Sequence, residues 1–267
     1  MGVPRAFDVI GTAAVTVALG VALLAEWRRP LRRRVQPFPA RLPANIALAA
    51  LAAAVQRGAV VPAGVAVARV GERRRLGLLR WLALPRWLAV MMGFLLLDWS
   101  MYVWHRMNHR VPFLWRFHVV HHTDLDLDAT TAFRFHPGEM ALSVLFRCAQ
   151  VAGLGVGARL LLVYDVVMQC ATAFHHSNRR LSDAVERRLV RAVVTPRMHG
   201  IHHSVVEAET NANWAVVLSW WDALHGTRRL DVPAESVTIG VPAYCDPAAL
   251  RLPRLLALPF ARRPARP

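Results

Sequence analysis

The sequence contains no lysine. All 33 of its basic residues are arginine, set against 17 carboxylates, for a formal charge of +16. No lysine nucleophile is therefore available, and arginine in place of lysine carries no functional reading by itself. Cysteine is scarce: Cys148, Cys170 and Cys245 lie far apart and form no CxxC pair. That excludes a disulfide framework and a thiolate metal site. There is no GxSxG elbow, no P-loop and no low-complexity linker. The arginines do not form a basic stripe interleaved with exposed aromatics, so nucleic acid is not an expected partner. They sit in short clusters beside apolar runs, as in RRPLRRR (28–34) and GERRR (71–75). Positive-inside flanks and lipid headgroup contacts have that layout.

Apolar residues are abundant. They make up 55% of the 267 residues, and the mean hydropathy is +0.31, a membrane-protein value. The run at 8–27 precedes five arginines within seven residues. A signal peptide has the reverse charge order, so the run reads as a retained transmembrane helix with its C-terminal end toward the cytoplasm. Residues 42–70 fit either one tilted span or a re-entrant pair, with an interruption expected near Arg57–Pro62. Residues 87–109 begin as a membrane helix and run into histidines. In 138–176 two apolar stretches of about 15 residues flank GLGVG, short of the roughly 20 needed to cross a bilayer. A helical hairpin suits them, and it returns His175 and His176 to the side that holds His105 to His122. A helix is expected over 182–194, capped by Ser182 or Asp183. The tail at 250–267 reads as surface-lying.

Twelve histidines stand in this apolar chain, and eight fall in three boxes: HRMNH (105–109), HVVHH (118–122) and HGIHH (199–203). Helical residues three or four apart share a face. His105 with His109, then His118 with His121 and His122, then His199 with His202 and His203, can each aim imidazoles at one point. Imidazole suits iron, zinc, copper and nickel. Eight nitrogens exceed the needs of one metal and suit two. Asp98, Tyr102, His105 and His109 lie on one helical face, so Asp98 either orients a bound imidazole or meets water or arginine at the interface.

The segments DWSMYVWHRMNH, WRFHVVHHTD, TTAFRFHPGEM, FHHSNRRL, TPRMHGIHHS and NANWAVVLSWWDALHGT resemble the fatty acid hydroxylase/sterol desaturase superfamily of membrane non-haem di-iron oxygenases, its bacterial sterol desaturase-like branch in particular. The resemblance covers about residues 90–230. It implies an all-α integral membrane protein with about four transmembrane helices, one helical hairpin among them, and a cytosolic histidine-rich cap. It also implies two iron ions, O2 as co-substrate and oxidation of a lipid C–H bond with two external electrons. By position the metal ligands would be His105, His109, His118, His121, His122, His199, His202 and His203, joined by His176, with His175 the adjacent alternative. The extra HxxxH of fatty acid 2-hydroxylases is broken, because Thr172 stands four residues before His176.

Other candidates near the site are His136, Asn178, Glu207 and Asn213, each able to orient a ligand or to serve local structure. Arg134 and Glu139 could pair near the site, or could simply lie at the interface. The expected organisation is membrane helices and an Arg-rich loop at 1–80, the di-metal domain at 81–230 and an interfacial tail at 231–267. No fused cytochrome b5-like or ferredoxin-like segment is visible, so the electrons are expected from a separate protein of such a kind. The expected location is a bacterial inner membrane, with the metals on the cytoplasmic face. Hydroxylation, desaturation and ether-lipid oxygenation all remain open. So do a histidine-rich membrane metal-binding or transport protein and a haem electron carrier. Transport needs ligands along a midplane path, whereas a haem carrier would show isolated histidine pairs facing each other.

Overall fold

The computed structural model describes residues 5–261, with side chains from Asp8 onward. Among these residues every regular element is helical, and extended pairing is limited to isolated bridges such as Val193 to Leu218.

Helix α1, Arg5–Arg28, turns an apolar flank outward; Ile10 and Leu24 are 69% and 65% exposed. Surface of that kind suits lipid rather than water. Helices α2, Phe38–Val55, and α3, Val61–Arg74, form one continuous run, joined by a π turn at Gln56–Val60. The segment at 42–70 is thus not a re-entrant pair, and the expected interruption is a widening of the helix rather than a break. The cause is Pro62, which lacks an N–H and crowds the carbonyl four residues back. Val61 bonds instead to Gln56 O, five residues back, and the π turn absorbs the mismatch. The short α4, Leu78–Trp81, leads into α5, Arg86–Arg110. Three helical runs are long and apolar enough to cross a bilayer: Asp8–Arg28, Phe38–Trp81 and Arg86–Arg110.

Helices α7, Pro137–Leu154, and α8, Ala158–His176, form the expected hairpin, reversing at Gly155 with φ +71. Gly77, with φ +104, packs on this reversal so closely that a Cβ there would lie 2.3 Å from Gly155 Cα. The core joins Ala68 of α3, Leu97 of α5, and Val151, Leu161 and Tyr164 of the hairpin.

At the other end of these helices lies the cap. It contains α6, Pro112–His122, α9, Asp183–Leu189, α10, Pro196–His202, α11, Glu207–Thr210, and α12, Trp220–Leu224. Ser182 caps α9 as expected, but the helix stops at Leu189 instead of reaching 194. Beyond it the chain turns so that Val194 N–H donates to Val217 O (3.0 Å), and Val190 and Val194 bury beside Tyr102, Met198 and Trp214. Burial of these β-branched side chains outweighs helix continuation. Of the expected tail, α13, Leu252–Ala257, buries Leu255 against Leu48 and Val120. Arg116 donates to the carbonyls of Pro259 and Ala261. Residues 1–4 and 262–267, at the two ends of the expected segments, lie outside the described residues.

The acidic loop after the second box ties the cap to the membrane helices. Arg41 of α2 donates to Asp124 (2.6 and 2.8 Å) and to Asp128 (2.7 Å), all buried. Asp126 accepts from the backbone of Val35 and Gln36, and Glu26 of α1 from Ala129 and Asn178. Burial alone would raise the Asp124 carboxyl, but the Arg41 charge outweighs it and lowers its pKa to about 2.

Candidate metal centre

Each histidine box arrives on a helix end, and each end has a local cause. Helix α5 carries His105 and His109 and stops at Val111, whose extended backbone is what a following proline requires. Pro112 then opens α6, which carries His118, His121 and His122. Helix α8 ends on His175 and His176. Thr195 caps α10 by accepting from Met198 N–H (3.3 Å), so His199 and His202 share a face and His203 closes the helix.

These ends bring nine imidazoles into two groups. His105, His109, His118, His122 and His202 form one; His121, His176, His199 and His203 form the other. Within each group the possible ligand atoms lie within 4.8 Å of one another, and every residue is buried. The His176 match thus joins the second group. His175 joins neither; its ring stands 4.2 Å from that of His199, on the cavity wall.

Hydrogen bonds point the rings inward. Nδ1 of His105, His202 and His176 meets the carbonyls of Trp214, Ala212 and Thr172 at 2.9 Å, and Nδ1 of His118 meets Glu139 Oε1 at 2.9 Å. A carbonyl or carboxylate there holds the proton on Nδ1 and leaves Nε2 free as a ligand. Among the described residues, both nitrogens of His109 and His122 and Nε2 of His118 and His202 are buried without any hydrogen-bond partner. Buried polar atoms are normally satisfied. In the second group, Nε2 of His176 lies 3.0 Å from that of His121 and 3.1 Å from that of His199, and His203 Nε2 lies 3.1 Å from His199 Nε2. Facing nitrogens can share only one proton per contact, whereas a cation satisfies all of them. Burial, with the neighbouring imidazoles, holds His121, His122, His199 and His203 well below the ordinary histidine pKa, and His202 is lowered to about 3. Neutral imidazole is the ligating form. Each group therefore fits a transition-metal ion of the kinds imidazole binds, iron, zinc, copper and nickel among them.

The other candidates do not reach the imidazoles. Asp98 lies two turns before His105, about 10 Å along the helix. It accepts from Trp221 Nε1 (2.7 Å), Leu218 N (3.0 Å) and Tyr164 Oη (3.0 Å), so it meets neither an imidazole nor an arginine and pins the 217–221 loop to the helices. His136 caps α7 by accepting from Gly138 N–H and contacts the Leu256 carbonyl. Asn178 joins the α8 end to Arg32. Asn213 holds α10 to the 227–229 turn through Met198 O and Arg229 O. Glu207 is exposed at the start of α11. Arg134 does not pair with Glu139; it donates to Val120 O and Thr123 Oγ1. Sequence reasoning singled out Glu139 only as a possible partner of Arg134; its contact with His118 was missed. The one signal for that contact was the place of Glu139 in the first turn of a helix that leads away from the box region.

A cavity of about 400 Å³ opens from the imidazoles into the helices. His105, His118, His121, His176 and His199 border its inner end. Leu19 of α1, Ala49 and Ala53 of α2, Met140 and Phe146 of α7 and Met168 of α8 line its walls. One face of each helix therefore builds a largely apolar passage from the bilayer region to the histidine groups.

The family model described as fatty acid hydroxylase matches residues 90–227. An ornithine lipid hydroxylase from Rhizobium tropici is 30% identical over 65% of this chain and 51% of its own length. The human cholesterol 25-hydroxylase is 29% identical over 54% of this chain and 53% of its own. The human alkylglycerol monooxygenase is 27% identical over 55% of this chain and 32% of its own. The chain spans about half the length of the first two relatives, and no solved structure matches it. The match spans all three histidine boxes, the hairpin and Glu139, and so the chain belongs to the fatty acid hydroxylase family.

Proposed function

We propose that this protein is a membrane-bound lipid hydroxylase that uses O2, two iron ions and two external electrons. Nine buried imidazoles in two groups, opening on an apolar cavity, carry that reading. The relatives named as hydroxylases and a monooxygenase favour oxygen insertion over desaturation. The net change would be one C–H, one O2, two electrons and two protons giving one C–OH and one water. The ions, when bound, supply the O2 activation that no side chain provides.

The chain's own residues do the rest. The five- and four-histidine groups would hold one ion each, and Glu139 with the carbonyls of Trp214, Ala212 and Thr172 fixes the rings. The cavity seats a hydrocarbon chain with its reacting carbon beside His105, His118, His121, His176 and His199. The largely apolar walls would limit water beside the imidazoles, which limits side reactions. The substrate class would be a membrane lipid, in line with the lipid named for the Rhizobium tropici relative, and the apolar cavity favours its hydrocarbon chain. The electrons would come from a separate carrier. The arginine-flanked end of α1 favours a cytoplasmic metal face, in a bacterial inner membrane.

The test is iron-loaded protein in nanodiscs, incubated with a bacterial lipid extract, a chemical reductant and 18O2. One lipid should gain a single labelled oxygen, and His105→Ala should abolish the gain. Iron-replete protein that labels no lipid would overturn the reading.

A further inference from the structure

Electrons must reach the buried imidazoles without crossing the lipid cavity, and one surface offers such a route. Arg106 and Arg110 lie one turn apart on the exposed face of the last part of α5. Their guanidinium carbons stand 5.4 and 5.6 Å from the centre of the Trp214 ring. Trp214 is only 1% exposed, so these arginines and their neighbours cover it. Its indole Nε1 is buried without a hydrogen-bond partner among the described residues. A buried tryptophan N–H normally finds one.

The inner side of the same residue touches the metal centre. The Trp214 carbonyl meets His105 Nδ1 at 2.9 Å, and its ring lies 6.4 Å from that of His109. Both histidines belong to the five-imidazole group. Trp214 is not part of the cavity wall, whereas Ala215 and Val216 are. Trp214 thus separates the centre from the outer surface on a side that the substrate does not use.

The side chains that cover Trp214 at the surface include two arginines, Arg106 and Arg110. Arg228 is exposed in the 227–229 turn, which Asn213, the residue before Trp214, holds in place through Arg229. Among the described residues, Arg106, Arg110 and Arg228 form no ion pair with a carboxylate. Uncompensated charge at a surface steers partners of opposite sign.

Building on the hydroxylase reading, we propose that the Arg106–Arg110–Arg228 patch docks an acidic one-electron carrier protein, and that Trp214 is the bridge from it to His105 and His109. Each encounter would pass one electron, oxidising the carrier by one unit and reducing by one an ion that the histidine groups would hold. Two encounters supply the pair that hydroxylation consumes. Trp214 is a positioning residue here; it carries no charge of its own through the cycle.

The experiment uses the full chain in nanodiscs and a plant-type [2Fe–2S] ferredoxin as the acidic probe. Binding is measured first on metal-free protein, at low and at high salt. Wild type should bind the ferredoxin at low salt and release it at high salt. Arg106→Glu with Arg110→Glu should lose at least tenfold in affinity. Arg187→Glu with Arg188→Glu, the same charge change on exposed α9, should bind as wild type. On iron-loaded protein, the Arg106/Arg110 variant should slow reduction by ferredoxin while reduction by methyl viologen stays as in wild type. Trp214→Leu should slow the ferredoxin step and keep ferredoxin affinity. No ferredoxin binding by wild type, or an equal loss in both double variants, overturns the proposal. The binding result stands whether or not the protein hydroxylates a lipid, so failure of the docking site and failure of the hydroxylase reading are told apart.

Discussion

His118 Nδ1 lies 2.9 Å from Glu139 Oε1, and both side chains are buried. The carboxylate keeps the histidine proton on Nδ1, so Nε2 faces the group formed with His105, His109, His122 and His202. Partners of this kind set ring orientation and ligand basicity, and their loss costs about 10–100-fold in metal affinity. Glu139→Ala should therefore weaken iron retention by about that factor. Glu139→Gln, which keeps an acceptor, should fall between. Competition with a chelator, read as metal content per chain, checks this; unchanged retention in the alanine variant would remove Glu139 from the site.

The two groups should be separable. His202→Ala removes one ligand of the five-histidine group, whereas the other group keeps His121, His176, His199 and His203. The variant should lose iron from one site before the other on chelation. Loss of both ions together would mean that the nine histidines act as one undivided site.

The Arg41 tie to Asp124 and Asp128 should carry much of the attachment of the cap. Removing one partner of a buried ion pair costs about 3–5 kcal/mol, so Arg41→Met should lower thermal stability sharply. The pH dependence follows from the carboxylate, whose folded pKa is depressed to about 2 from 3.8. Its contribution is fully present above pH 3.8 and is lost as pH falls through 2. Unfolding of detergent-solubilised protein across that range should show this limb in wild type and not in Asp124→Asn.

Histidines give a second limb at higher pH in metal-free protein. Burial lowers His202 to about 3 from 6.5, and its neighbours move in the same direction. Below pH 6.5 the unfolded chain binds protons that the folded chain refuses, so stability falls as pH drops from 6.5 toward 3. Iron binding should shift this loss to lower pH, since the ion competes for the same nitrogens. Calorimetric or fluorescence melts with and without metal read the difference.

Gly77 tests the packing behind the site. Its φ is +104, and a Cβ added to it would stand only 2.3 Å from Gly155 Cα, so any side chain pushes the α3–α4 turn off the hairpin tip. Gly77→Ala should reduce the yield of folded protein and lower its melting temperature. Gly20, which meets nothing within 4 Å, should accept the same change.

Much of the histidine cluster could be read from sequence because its members are local. His105 with His109, and the two HxxHH boxes, announce their shared faces through helical spacing alone. The return of α8 to the box side followed from the length of the two apolar stretches. Contacts between distant segments left no such trace. Glu139 meets His118 across 21 residues and Arg41 meets Asp124 across 83. No periodicity marks one carboxylate among 17. Asp98 was misplaced because sharing a helical face with His105 ignores the two turns of rise between them. The continuous 38–74 run was ambiguous because Pro62 breaks an α-helix but can be carried by a π turn.

Iron content with Mössbauer spectra on iron-57-grown protein, purified gently in detergent, decides whether the two histidine groups hold iron. Two irons per chain with a magnetically coupled signal are predicted, one ion for each histidine group. Protein that binds no metal when iron is supplied, and whose stability a chelator does not change, would contradict that prediction.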